Sequence, residues 1–187
     1  MKTLHSLSAA IAKAELTLAC AFGLLIALLI LLNVATRAAG TSIFWVDEAA
    51  IASMVWMALL GASASVHYRT SVAVTLLPDS LPPRAALAAG KVVDGLVLAF
   101  FVILLFLTYR WFDPIAFAAT GFSKDEFSGA TFNFIYAETT TTLGFPKYWL
   151  WLVMPLFAIG SAIHALANLV SAGAEAPPKD LALSEID

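Results

Sequence analysis

Between Ala49 and Val66 the chain carries no charged side chain. At a rise of ~1.5 Å per residue that run is just long enough to cross a bilayer core of roughly 30 Å as a helix. It sits within the stretch from Trp45 to Val74, and its composition is unusual for a span that meets only lipid. Ala49, Ala50, Ala52, Ser53, Ala58, Gly61, Ala62, Ser63, Ala64 and Ser65 are all small, and Gly61 and Ser65 stand four apart. Small residues let helix backbones approach closely, which is how helices associate where lipid tails are as apolar as leucine. A helix of this kind is shaped to be packed against.

Three more apolar runs, at about 16–36, 92–109 and 148–172, complete the pattern. The predicted fold is an all-α integral membrane protein with four transmembrane helices. Composition agrees: 61% of residues are hydrophobic and only 12% charged, against about 25% charged in an average soluble domain. The first run is longer than the roughly 7–15 residues of a signal-peptide core and no small-x-small cleavage site follows it, so it reads as a span.

The segments between the runs fix the domain layout. Residues 1–15 place Leu4, Leu7, Ile11 and Ala14 at helical spacing, which fits either a short interfacial amphipathic helix or a flexible tail. Trp45 reads as an interfacial aromatic, with Asp47 and Glu48 in a first helical turn where acids complement the dipole. Pro78, Asp79, Pro82 and Pro83 break the chain before the third span, and Asp94 is expected to pair with Lys91 near the surface. Trp111 closes that span at the interface. A loop over 113–147 then carries Phe117, Phe122, Phe127, Phe132, Phe134, Tyr136 and Phe145, too aromatic for a linker. It is expected to pack over the membrane face of this protein and a partner, with docking of a soluble protein as the other reading. Tyr148, Trp149 and Trp151 are expected to anchor the fourth span at the interface, with a kink at Pro155. Residues 173–187 read as a disordered tail.

Lys and Arg set the expected orientation. With both termini in the cytoplasm, Lys2, Lys13, Arg69, Arg84, Lys91 and Lys179 lie inside, while Arg37, Arg110, Lys124 and Lys147 lie outside.

Chemistry is excluded more readily than assigned. A formal net charge of −3 argues against nucleic acid as partner. A single cysteine, Cys20, permits no disulfide or thiol pair within the chain and reads as a small packing residue. His164 is the one titratable group expected well inside a span, so no proton relay or carrier site is expected from this chain alone. No nucleophile with a placed base is present, and no catalytic, cofactor or metal residue is assigned. His67 and His164 leave one alternative, a four-helix membrane redox protein binding haem or quinone. The favoured reading is a subunit that binds other membrane helices.

Several residue groups resemble the small membrane subunit of the tripartite ATP-independent periplasmic (TRAP) transporters. These are Asn33 with Arg37 after the first helix, Trp45-Val-Asp-Glu48 opening the second, Leu60-Gly61-Ala62 followed by a polar turn, and Leu143-Gly-Phe-Pro146-Lys-Tyr-Trp149 with Pro155 in the fourth. Where the family tends to carry a His and then an Asp after the glycine step, this chain has Ser71 and Thr75, with His67 upstream. The loop over 113–147 is also longer than is usual there.

The resemblance implies a non-enzymatic scaffold subunit in a bacterial or archaeal inner membrane. Such a subunit pairs with a large twelve-helix membrane subunit that holds the substrate and sodium sites. A periplasmic substrate-binding protein delivers an organic acid or related solute. Residues expected at the partner interface are Arg37, Trp45, Asp47, Glu48, Ser53, Gly61 and Ser65.

Overall fold

The computed structural model describes residues 2–69 and 82–171. The turn containing Pro78 and Asp79, positions Ser71 and Thr75, and the expected tail over 173–187 lie outside the described residues. Within them the chain is helical, and the sole β pairing is an isolated antiparallel bridge between Thr139 and Pro146.

Helix α1 runs unbroken over Lys2–Ala38 and α2 over Trp45–Tyr68. Helix α3 spans Pro83–Phe112, with a proline in its first turn where the missing N–H costs nothing. Two short helices follow, α4 (Pro114–Ala119) and α5 (Lys124–Thr131), then α6 (Tyr148–Trp151) and α7 (Val153–Val170). Four of the helical stretches are long and apolar enough to cross a membrane: α1, α2, α3 continued into α4, and α6 continued into α7. The expected four-span, all-α architecture is what the chain forms.

Helix α7 is the hub. It packs against α1, α2 and α3, while α1 also packs along α2. Apart from Val153 at its start, its buried positions are small or polar: Ala158, Gly160, Ser161, His164, Ala165 and Ala167. Pro155 explains why the fourth span is split, since it donates no N–H and its ring crowds the carbonyl one turn back. In the turn ahead of it the Leu150 carbonyl accepts from the Trp56 indole at 3.0 Å, which ties α2 to the break.

Two expectations about the spans change. Lys2 to Glu15 are the first turns of α1, and Ser8, Ala12 and Glu15 are buried in the bundle. Spaced at i, i+4 and i+7, they form one stripe on the helix. Asp94 pairs not with Lys91 but with Arg69 of α2, at 2.9 Å. Lys91 reaches instead to the last carbonyls of α7, donating to Leu169 at 2.6 Å, to Asn168 at 3.3 Å and to Ser171. A cation there satisfies carbonyls left open at a helix C-terminus.

The loop over 113–147 has a core of its own. Phe127, Ile135 and Tyr136 pack with Phe112 of α3, and Phe117, Tyr148 and Leu152 lie against them. Phe117 stacks on Tyr136 with centroids 3.8 Å apart, and the Tyr136 hydroxyl donates to the Phe112 carbonyl at 2.7 Å. The loop is therefore fastened to the ends of α3 and α6, and Phe122, Phe132 and Phe134 remain exposed on its surface.

Candidate functional site

Both ends of the bundle carry polar groups, and they are built differently. At the end where α1 stops and α2 starts, Arg37 donates to Asn33 Oδ1 at 2.7 Å and to Asp47 Oδ2 at 2.8 Å. The Asn33 amide donates to the other Asp47 oxygen. This triad staples α1 to α2 across their short connection. It is exposed, so its value lies in geometry more than in free energy.

One residue on, the Glu48 carboxylate gathers the loop. It accepts from the backbone N–H of Thr141 at 2.9 Å, Thr142 at 2.7 Å and Leu143 at 3.0 Å, and from the Thr142 hydroxyl at 2.6 Å. Successive amides curled around an anion form a nest. Glu48 thus does more than complement a helix dipole. A cleft of about 200 Å³ opens beside it, lined by Ile51, Val55, Trp56, Lys147 and Trp151.

The opposite end holds a buried cluster. His164 Nε2 lies 3.0 Å from Glu15 Oε2, and Ser63 donates to Glu15 Oε1 at 2.7 Å. Ser8 Oγ lies 2.7 Å from Nδ1 of both His164 and His67. Ser8, Ser63 and His164 are fully enclosed and Glu15 is 7% exposed. Gly160 is what lets Glu15 approach α7. A Cβ there would collide with Glu15 Oε1 and stand 2.9 Å from Ser63 Oγ. Ser161 is also fully buried, and its hydroxyl has no hydrogen-bond partner among the described residues, for which nothing in the structure accounts.

The expectation that His164 stands as the one ionisable group inside the spans is therefore corrected: α1 starts earlier than its apolar run and carries Glu15 in with it. The haem geometry fails on the same contacts. The His67 and His164 rings are 5.3 Å apart by centroid and share one hydroxyl, and His164 Nε2 faces Glu15, which leaves no space between them for a macrocycle. Among the described residues no group of three or more His, Cys, Asp or Glu could hold a metal ion.

The family described as "Tripartite ATP-independent periplasmic transporters, DctQ component" matches residues 26–174. The chain belongs to this family. No curated protein and no solved structure matches it significantly. A DctQ component is one part of a tripartite transporter, and with four apolar spans this one is a multi-pass membrane protein. The triad, the Glu48 nest and the α7 hub all lie within the matched DctQ segment, whereas Ser8 and Glu15 precede it.

The expected interface residues separate on this frame. Arg37, Asp47 and Glu48 are joined to groups of their own chain, as above. Ser53 is buried, its hydroxyl on the Ala49 carbonyl, so it offers no outer surface. Ser65 donates to the Ala62 carbonyl. Gly61 has nothing within 4 Å of a Cβ built on it, and Trp45 is 43% exposed. Of the aromatic anchors, Trp111 and Trp151 meet edge to face at 5.6 Å, Tyr148 packs on Tyr136, and Trp149 points outward, 54% exposed. Cys20, expected as a packing residue, is exposed on α1. Sequence reasoning missed Ser8 and Glu15. Their repeat of small and polar residues along one helix face was the available signal.

Proposed function

We propose that this chain is the small scaffold subunit of a sodium-coupled TRAP transporter and packs against the large membrane subunit. That partner would carry the substrate and sodium sites. A periplasmic binding protein would deliver the solute, an organic acid or a related compound. The chain would sit in the inner membrane with both termini in the cytoplasm, which puts the Glu48 nest on the periplasmic side and the Glu15–His164 cluster on the cytoplasmic side.

One observation supports this reading above the rest. Glu15, Ser8, Ser63, His67 and His164 are joined to one another across helices, while the outer faces of α1, α2 and α3 present large apolar side chains such as Leu24, Leu28, Leu31, Met54, Leu96, Ile103 and Phe106. A bundle built this way has area for holding helices together and no unpaired polar row along which a solute could be passed.

Coexpression with a tagged large membrane subunit tests it. Because a Cβ at Gly61 meets nothing within 4 Å, Gly61→Leu is expected to leave the subunit folded and to lower its copurification several-fold. Copurification unchanged by Gly61→Leu, with sensitivity confined to Leu-rich faces of α1 or α3, would move the interface elsewhere. Failure of the wild-type chain to copurify would remove the scaffold role.

A further inference from the structure

Three helices contribute to one continuous hydrogen-bonded chain: Glu15 and Ser8 from α1, His164 from α7 and His67 from α2. Its proton inventory is restrictive. A serine hydroxyl has one proton to donate, and a neutral imidazole has one N–H and one lone pair. Both histidines present Nδ1 to the same Ser8 oxygen, each at 2.7 Å, so Ser8 donates to one of them and accepts from the other.

Suppose Ser8 donates to His164. His67 then donates from Nδ1, and His164 holds its own proton on Nε2, aimed at an ionised Glu15. The chain carries one negative charge in this arrangement. Suppose instead Ser8 donates to His67. His164 then donates from Nδ1, and the 3.0 Å contact between its Nε2 and Glu15 still needs a proton, held by one or the other. The chain is now neutral. Every member is hydrogen-bonded in both arrangements, and they differ by one proton.

We infer that Glu15, His164, Ser8 and His67 form a binding site for a single proton, exchanged with water at His67. His67 is the half-buried member, near the C-terminus of α2, and its Nε2 has no hydrogen bond among the described residues. A proton taken up on His67 Nε2 releases the one on Nδ1 to Ser8 Oγ. Ser8 passes its former proton to His164 Nδ1, and the gained charge settles on the His164–Glu15 pair. His67 and Ser8 each break one N–H or O–H bond as they make another, His164 makes the one additional N–H bond that accounts for the proton taken up, and no electrons change owner.

The surrounding charges are already placed. His5 of α1 is bonded to Ser171 at 3.0 Å and, with Glu15 and His164, is one of the titratable neighbours of His67. Arg69 at the end of α2 is paired with Asp94 of α3, and Lys91 of α3 is engaged by the carbonyls that close α7. The site goes beyond the scaffold role, because a bundle held only by packing has no need of a reversible chain. Half of it precedes the segment that matches the family.

Histidine-labelled protein in lipid nanodiscs, followed by nitrogen NMR from about pH 5 to 8, tests the inference over the range where imidazoles change charge. His67 and His164 are expected to titrate in one concerted step. Ser8→Ala is expected to break the concert, so that His164 no longer responds when His67 titrates. Glu15→Gln is expected to abolish the response at His164 Nε2. Two well-separated midpoints in the wild type, a His164 signal constant with pH, or a concerted step surviving in folded Ser8→Ala would each overturn the site. If Ser8→Ala does not fold, the wild-type titration alone decides.

Discussion

Gly160 and Glu48 each hold one contact that the bundle could not make with another residue. At Gly160 the absent side chain lets Glu15 and Ser63 meet against the α7 backbone. Gly160→Ala is expected to force them apart and to cost about 1–3 kcal/mol, the usual range for overpacking a filled interior. Thermal unfolding in detergent measures it, and a melting temperature equal to wild type would mean that Glu15 yields freely. Glu48 is a different case, exposed yet bonded to three successive loop amides. In Glu48→Gln one oxygen becomes a donor facing those donors and the charge is lost, so faster hydrogen exchange is expected at Thr141, Thr142 and Leu143. Unchanged exchange there would reduce Glu48 to a helix-dipole residue.

Among the elements, the loop over 113–147 has a pH response of its own. Burial, with Asp113 and Tyr148 nearby, holds the Tyr136 hydroxyl's pKa above its ordinary 10.0. A group whose pKa is raised by folding contributes stability fully present below its unfolded value and lost as pH rises through the folded one. The loop core is therefore expected to loosen above about pH 10, and Tyr136→Phe to flatten that dependence while removing the bond to the Phe112 carbonyl. Near-ultraviolet circular dichroism follows it, and equal alkaline slopes in the two proteins would contradict the assignment. The aromatic content of this loop was readable in the sequence; its anchoring by Glu48 was not, since backbone amides leave no mark on a residue string. A helix over residues 1–15 was one of two readings, but its burial as the start of α1 was missed for a related reason. Ser8, Ala12, Glu15 and Ala19 are buried by close contact with neighbouring helices, and a face of small and polar residues gives no hydrophobic stripe. Asp94 was assigned to Lys91 because they are three apart on one helix, but tertiary structure brings in Arg69, and the lysine stem reaches α7.

At the scale of the whole molecule, four spans followed from the lengths of the apolar runs, and membership of the family followed from residues now seen to hold structure together. Asn33, Arg37 and Asp47 form the staple between α1 and α2, Glu48 fixes the loop, and Pro155 breaks the fourth span. The small residues of α2 were readable as a packing surface, but part of that surface, Ser53, Ser63 and Ala64, is consumed inside the chain. One-dimensional spacing does not say whether a close-packing face meets a neighbour in the same polypeptide or in another. The central claim is that the bundle supports transport without performing it. Solute uptake into liposomes under a sodium gradient measures this most directly. The account predicts no uptake with this chain alone and uptake when the large membrane subunit and the binding protein are added; accumulation of solute by the isolated chain would contradict it.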